Sequence, residues 1–380
     1  MADAHRRLAR RLVLISLSLM AACATVRPGP GPAPAPRAPI APPVAPPVEQ
    51  LKPESYKDLP GWEQDDHAQA FLAFRAGCPA ARDPDMKTVC RRAMTVDLLD
   101  EPQAKAFFED NFRPEAVVGE GVLTAYFAPE YQARTRPDGE FSAPVRARPA
   151  DLVPGGPTGK EAWQRLADGS LNPYPDRAWI ETHGPADALA WMRPEELFFL
   201  QVQGSGVLTL EDGRRIKLLF AATNGQAFKG IANPMRDQGL LAASDTGGEA
   251  IRAWLAAHRG PEADAVMRLN PRFAFFRAVP DDGLPPVGAA GVALPAGRAI
   301  AIDPTWHGMG ELWWIDGEAP ILAGAYPSYR RLVTALDTGG AIKGEIRADL
   351  YLGQGAAAGA EAGRVRHVLK LHRLVPVSGR

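Results

Sequence analysis

Leu336-Asp337-Thr338-Gly339-Gly340-Ala341-Ile342-Lys343-Gly344 is followed shortly by Arg347-Ala348-Asp349-Leu350-Tyr351-Leu352-Gly353, and these residues carry the most information in the chain. Two carboxylates stand twelve positions apart (349 − 337) in a segment with almost no other anionic side chain. Glycines around Asp337 allow close approach of backbone or ligand. Asp349 lies in a short apolar run that reads as a strand edge. A carboxyl buried there is costly to ionise, which makes Asp349 a candidate proton donor.

Before this segment, from about residue 117, the chain reads as short β-like runs separated by Gly and Pro. Residues 121–127, 197–203, 215–221 and 298–302 are the clearest, and the pattern predicts barrels in preference to a doubly wound α/β sheet. One helix is expected to interrupt them, over residues 249–258, with Thr246-Gly247-Gly248-Glu249 as its capping box. Residues 65–110 carry an apolar stripe of helical period, interrupted at Pro79 and Pro84.

The chain has 380 residues, enough for one large domain or two ordinary ones. Its formal net charge of −1 argues against nucleic acid as the main partner. Arg6-Arg7 and Arg10-Arg11 precede a short apolar stretch from Leu12 to Leu19, the pattern of a secretory signal over residues 1–22. The stretch ends in Leu19-Met20-Ala21-Ala22-Cys23, which is similar to a bacterial lipobox with Cys23 as the acylated residue. Ala24 points to the outer membrane of a Gram-negative cell, and acyl chains would anchor the protein there, facing the periplasm. Residues 23–53 then form a Pro/Ala-rich spacer of extended character. Cys78 and Cys90 are the other cysteines; an oxidising compartment favours a disulfide between them, two buried thiols being the alternative. No metal site is expected, because the seven histidines are scattered without ligand spacing.

Three short motifs compete for attention. Asp-Thr-Gly occurs at 245–247 and at 337–339, as in the paired carboxylates of aspartic proteases. The expected capping box gives the first copy a structural task, so the protease reading is remote. Gly353-Gln354-Gly355 with Gly359 imitates a dinucleotide loop, but too little chain follows for a βαβ unit and no cofactor is expected. Gln203-Gly204-Ser205-Gly206 lacks the spacing of a serine nucleophile elbow.

Four segments in order together resemble the membrane-bound lytic murein transglycosylase A family. They are Leu123-Thr124-Ala125-Tyr126-Phe127-Ala128-Pro129 with Gln132-Ala133-Arg134; Phe199 to Gly206; Asn270-Pro271-Arg272-Phe273-Ala274-Phe275-Phe276; and Asp337 to Gly344 with Asp349. The last falls in what looks like the three-aspartate domain, with Asp303 as its first aspartate, although Thr305 to Glu311 replaces the usual turn after it. The resemblance implies a mainly β fold with some helices: a double-psi β-barrel domain, a second inserted β-barrel domain, and a substrate groove between them. The implied boundaries are 54–145 with 270–380 for the first domain, 298–370 resembling the three-aspartate part, and 146–269 for the insert.

The implied activity is cleavage of the β-1,4 bond between N-acetylmuramic acid and N-acetylglucosamine, leaving 1,6-anhydromuramyl ends. One acid suffices there, because the sugar's own C6 hydroxyl attacks with the high effective molarity of a positioned group. The resemblance assigns Asp349 as that acid and Asp337 as its support. Thr124, Tyr126, Gln203, Ser205, Gly339, Gly340 and Lys343 are the candidate glycan-binding residues. Implied partners are peptidoglycan strands, the membrane through the lipid anchor, and cell-wall synthesis proteins. A muramidase acting by hydrolysis and a non-catalytic wall-binding lipoprotein are the alternatives.

Overall fold

Asp66, Asp83 and Asp100 each accept a backbone N–H three residues on, and each opens a helix. The computed structural model describes residues 52–155, 161–183, 187–242, 245–319 and 321–377; the signal-like segment, Cys23 and most of the Pro/Ala spacer lie outside them. Strand β1 (Lys52–Pro53) leads to helices α1 (His67–Gly77), α2 (Pro84–Thr95) and α3 (Glu101–Asn111). Pro84 begins α2 without interrupting it, since the first helical turn needs no N–H there. Phe71, Phe74, Val89 and Phe108 turn inward with Trp62 and Phe112, against Leu312, Trp314 and Leu332. A disulfide joins Cys78, just past α1, to Cys90 in α2, with Cα atoms 5.6 Å apart. The buried Arg298 fixes this layer to the strands behind it, donating to Asp65 at 2.8 Å and to Gln69 at 2.8 Å.

Strands β2 (Phe112–Ala116) and β3 (Gly121–Ala128) then begin the main sheet, and the chain leaves it. The segment that follows holds β4 (Glu130–Gln132), β5 (Ala143–Val145), β6 (Leu152–Gly155), β7 (Glu161–Arg165), β8 (Leu171–Pro173), α4 (Arg177–His183), β9 (Ala190–Met192) and α5 (Pro194–Gln203). It continues through β10 (Gly206–Thr209), β11 (Arg215–Thr223), α6 (Ala232–Asp237), α7 (Gly248–Ala257), α8 (Pro261–Met267) and β12 (Ala274–Pro280). A four-stranded sheet runs β12-β11-β10-β4. Single bridges from Arg134 to Trp191 and from Ala147 to Phe276 connect it with the β5–β9 pair. These pairings surround one apolar interior that includes Val145, Met192, Leu200, Leu208, Leu218 and Phe276. This second body therefore draws strands from both sides of residues 146–269.

Two local expectations are corrected here. Residues 197–203 belong to α5, not to a strand. Pro194 in the first turn, Glu195 and Glu196 near the positive end, and Gly204 at φ 86° after the last turn are all helix-boundary signals. The apolar run alone did not distinguish the two states. The cap of α7 is Gly247, with no side-chain cap bond, so Thr246 and Glu249 form no capping box. Glu249 then occupies the second helical position, and the reciprocal bond needs the third.

On its return the chain adds β13 (Ala299–Ala301), β14 (Leu312–Glu318), β15 (Ser328–Asp337), β16 (Arg347–Gln354), α9 (Gly355–Ala362) and β17 (Arg366–Pro376). The main sheet is ordered β1-β2-β17-β14-β15-β13-β16-β3, and β3 also pairs with β17. Strands β3, β17, β14, β15, β13 and β16 therefore close a ring. Alternate residues fill it: Trp313 and Ile315, Val333 and Ala335, Ala348 and Leu350, Leu369 and Leu371. Gly121 is required where β3 meets β16, because a Cβ there would lie 1.6 Å from the Ile346 carbonyl oxygen. Asp349 thus sits on an interior strand, with β13 on one side and β3 on the other, and not at a sheet edge.

Candidate active site

Ladder register alone brings the acids together. Asp337 pairs with Ala301, Ala301 with Asp349, and Asp349 with Thr124, so the four stand in one row across β15, β13, β16 and β3. At about 4.8 Å per strand, the two aspartate Cα atoms are about 10 Å apart and Thr124 is about 5 Å from Asp349. A bulge makes this row. The β13–β15 register slips by one residue after Ile300, so Ala301 meets Asp337 where an unbroken ladder would place Leu336. One extra residue reverses which face a side chain takes, and here it turns the carboxylate toward its partners.

Asp349 is partly buried, and Thr124 donates its hydroxyl proton to Oδ1. Arg347, two residues earlier on the same face, donates to Thr124 Oγ1 at 2.8 Å and to the Val122 carbonyl at 3.2 Å. Burial pushes the Asp349 carboxyl above the usual carboxylate range. Arg347 and the Thr124 bond pull it back without restoring it, and Asp337 adds a smaller upward push. The same burial lowers the Arg347 guanidinium, while Asp349 supports its charge.

Asp337 has different surroundings. Its Oδ1 accepts the backbone N–H groups of Ala289 and Thr338, each at 2.9 Å, and its Oδ2 accepts the Tyr126 hydroxyl at 2.7 Å. Burial raises this carboxyl also, against those three bonds. Burial and then the Asp337 charge hold the Tyr126 phenol well above the ordinary tyrosine range, so it remains a donor. The Tyr126 ring lies 5.3 Å from that of Tyr351. Tyr126, expected at the glycan, thus directs its hydroxyl to Asp337.

The other expected residues are distributed around this row. Gln203, at the end of α5, accepts from the Phe127 N–H at 3.2 Å and so ties the second body to β3. Ser205 is partly buried on the link from α5 to β10. Gly339 packs against Ile342, and Gly340 is exposed with the Arg272 guanidinium beside it. Lys343 is exposed, its Nζ 3.6 Å from Asp303 Oδ1. Asp303 is buried and accepts from Gly344 N–H at 3.0 Å and Thr305 N–H at 3.2 Å. Burial acts to raise its carboxyl, but these amides, the Thr305 hydroxyl and Lys343 together hold it below the usual range. An ionised Asp303 therefore anchors the far end of the glycine loop. Sequence reading missed Arg347 and gave Asp303 no task; the period-two spacing of Arg347 and Asp349 was the available signal for the first. Among the described residues no cluster of His, Cys, Asp and Glu suits a metal ion.

Residues 122–277 match the MltA specific insert domain, and residues 298–375 match the 3D domain. A curated relative, membrane-bound lytic murein transglycosylase A of Vibrio cholerae, is 31% identical over 263 residues, spanning 67% of this chain and 66% of the relative. The crystal structure of the membrane-bound lytic murein transglycosylase from Agrobacterium tumefaciens is 32% identical, with a TM-score of 0.75 over 86% of this chain and 97% of that one. The chain belongs to the lytic murein transglycosylase A family. Within MltA architecture the row of site residues crosses the seam between the two matched segments. Thr124 and Tyr126 come from the first, and Asp303, Asp337, Arg347 and Asp349 from the second. The structure of Escherichia coli MltA with bound chitohexaose is 25% identical and has a TM-score of 0.63, covering 82% of this chain and 89% of that one.

Proposed function

We propose that this protein cleaves the β-1,4 bond between N-acetylmuramic acid and N-acetylglucosamine without water, leaving 1,6-anhydromuramyl ends, with Asp349 as the single general acid and base. The observation that carries the reading is the inequality of the two acids. Asp337 has both oxygens occupied by donors, whereas among the described residues Asp349 accepts from Thr124 on Oδ1 and from none on Oδ2, which leaves Oδ2 to carry a proton. Burial raises the Asp349 carboxyl above the usual carboxylate range, which favours the protonated form that a general acid needs. Asp349 protonates the leaving glycosidic oxygen, and its carboxylate then takes the proton of the muramyl C6 hydroxyl as that oxygen closes on C1. A hydrolase would need a second carboxylate free to activate water or attack the sugar. Bound chitohexaose in the E. coli relative supports a β-1,4 glycan as the ligand class.

In the same reading, the closed ring of six strands is the double-psi barrel and the body around β10 to β12 is the second barrel, with the glycan between them. Residues 54–145 and 270–380 supply the first, apart from β4, β5 and β12, which join residues 146–269 in the second. The protein is an outer-membrane lipoprotein, acylated at Cys23 and facing the periplasm; no helix among the described residues is long and apolar enough to cross a membrane. Mass spectrometry of muropeptides released from purified sacculi tests the chemistry. Anhydromuramyl products are expected, and reducing muramic ends in their place would convert the assignment to a muramidase. Release that survives Asp349→Asn undiminished would remove Asp349 from the acid's role.

A further inference from the structure

Arg272 occupies the link between Asn270 and β12, and its backbone is held from two sides. Its N–H donates to Asn270 Oδ1 at 3.2 Å, and its carbonyl accepts from the buried Arg177 guanidinium at 2.6 Å. From this fixed base the side chain reaches the glycine loop of the main sheet. A Cβ on Gly340 would come within 3.1 Å of Arg272 Cζ and Nη1 and 3.4 Å of Nη2. The guanidinium is therefore laid on Gly340, three positions from Asp337, and the missing side chain at 340 makes room for it.

No acceptor among the described residues takes a hydrogen bond from this guanidinium. Two buried arginines differ: Arg177 has Glu181 and Arg298 has Asp65. Burial lowers the Arg272 pKa with no carboxylate opposing it, yet a guanidinium keeps its charge. A partly desolvated cation without a counter-charge costs stability unless a ligand supplies one. The groups that set the acidity of Asp337 and Asp349 do not include Arg272, so its charge stands apart from proton transfer.

A β-1,4 chain of N-acetylated sugars is neutral. In peptidoglycan the negative charges belong to carboxylates on the peptide carried by the muramyl lactyl group, and a guanidinium fork matches a carboxylate with two parallel bonds. We propose that Arg272 is a specificity-determining residue that binds a stem-peptide carboxylate beside the glycine loop. This rests on the transglycosylase reading of the site. Because the contact is remote from the bond being broken, it serves substrate capture more than the chemical step.

The test uses the full chain in detergent with two substrates: native sacculi, and sacculi whose carboxylates have been amidated with carbodiimide and ammonia. On native sacculi Arg272→Gln lowers kcat/KM about tenfold, mainly through KM, and Arg272→Lys recovers part of the loss. On amidated sacculi the wild type and Arg272→Gln cleave alike. Thermal melting and chitohexaose binding stay at wild-type values in Arg272→Gln, which separates recognition from folding. Equal losses on both substrates, no loss on either, or a matching fall in chitohexaose affinity overturns the proposal. A wild type that releases no anhydromuramyl product from either substrate removes the activity reading and this inference with it.

Discussion

Asp-Thr-Gly appears at 245–247 and again at 337–339, and the two copies have little in common beyond their letters. Asp245 is exposed on the loop before α7 and accepts from the nearby Gly247 N–H at 3.3 Å. Asp337 joins two distant parts of the chain, through Tyr126 and Ala289, accepts also from the adjacent Thr338 N–H, and stands in the row that leads to Asp349. The first copy organises its own turn; the second is desolvated and oriented by tertiary neighbours. Chemistry follows from burial and partners, and a tripeptide supplies neither alone.

The comparison is sharpened most by removing the proposed acid that the second copy stands beside. Asp349→Asn is expected to lower kcat on sacculi about 10³-fold. It is also expected to raise Tm at neutral pH by about 2–4 °C. The sign follows from linkage: a carboxyl raised by burial binds its proton more tightly in the folded state. Stability is therefore lost as pH rises from the unfolded carboxyl range through the raised folded value, and Asn escapes that loss. Loss of activity without this gain would mean that burial does not set the Asp349 pKa.

Asp337→Ala should cost about 30-fold in kcat with KM little altered, read from initial rates of muropeptide release, because it frees the Tyr126 and amide donors from their acceptor. Asp337→Asn should leave the Asp349 titration nearly in place, since burial outweighs the Asp337 charge there. Arg347→Gln removes a charge that pulls Asp349 down. Activity needs the protonated acid, so the alkaline fall of kcat/KM should move to higher pH, which a pH–rate profile detects. The smallest effect belongs to the other copy: Asp245→Ala should change kcat/KM less than about twofold and Tm by less than about 1 °C. An Asp245→Ala variant that behaved like Asp337→Ala would break the comparison.

Much of this site was legible because it lies on regular strands. Residues 121–127 form the strand that their β-like run suggested, and the glycine loop with Asp349 pointed to both carboxylates before any register was known. Register was the hidden part. The bulge after Ile300 has no clear signature in Ala299-Ile300-Ala301, yet it determines the face that Asp337 takes. Residues 197–203 were misread because a short apolar run suits both a strand and a buried helix, and here Pro194 and Gly204 carried the boundary information. Arg272 carried no signal of its own, since its meaning comes from Gly340, which lies 68 positions (340 − 272) further on.

The bond from Thr124 to Asp349 spans 225 positions, and β3 is held between β16 and the final strand, β17. No chain that stops short of residue 349 contains the proposed acid, and none that stops short of β17 closes the ring around it. Contacts of such separation form late and slowly in folding. A site built this way is assembled by distant pairings, and it is complete only once β17 has joined β14 to β3.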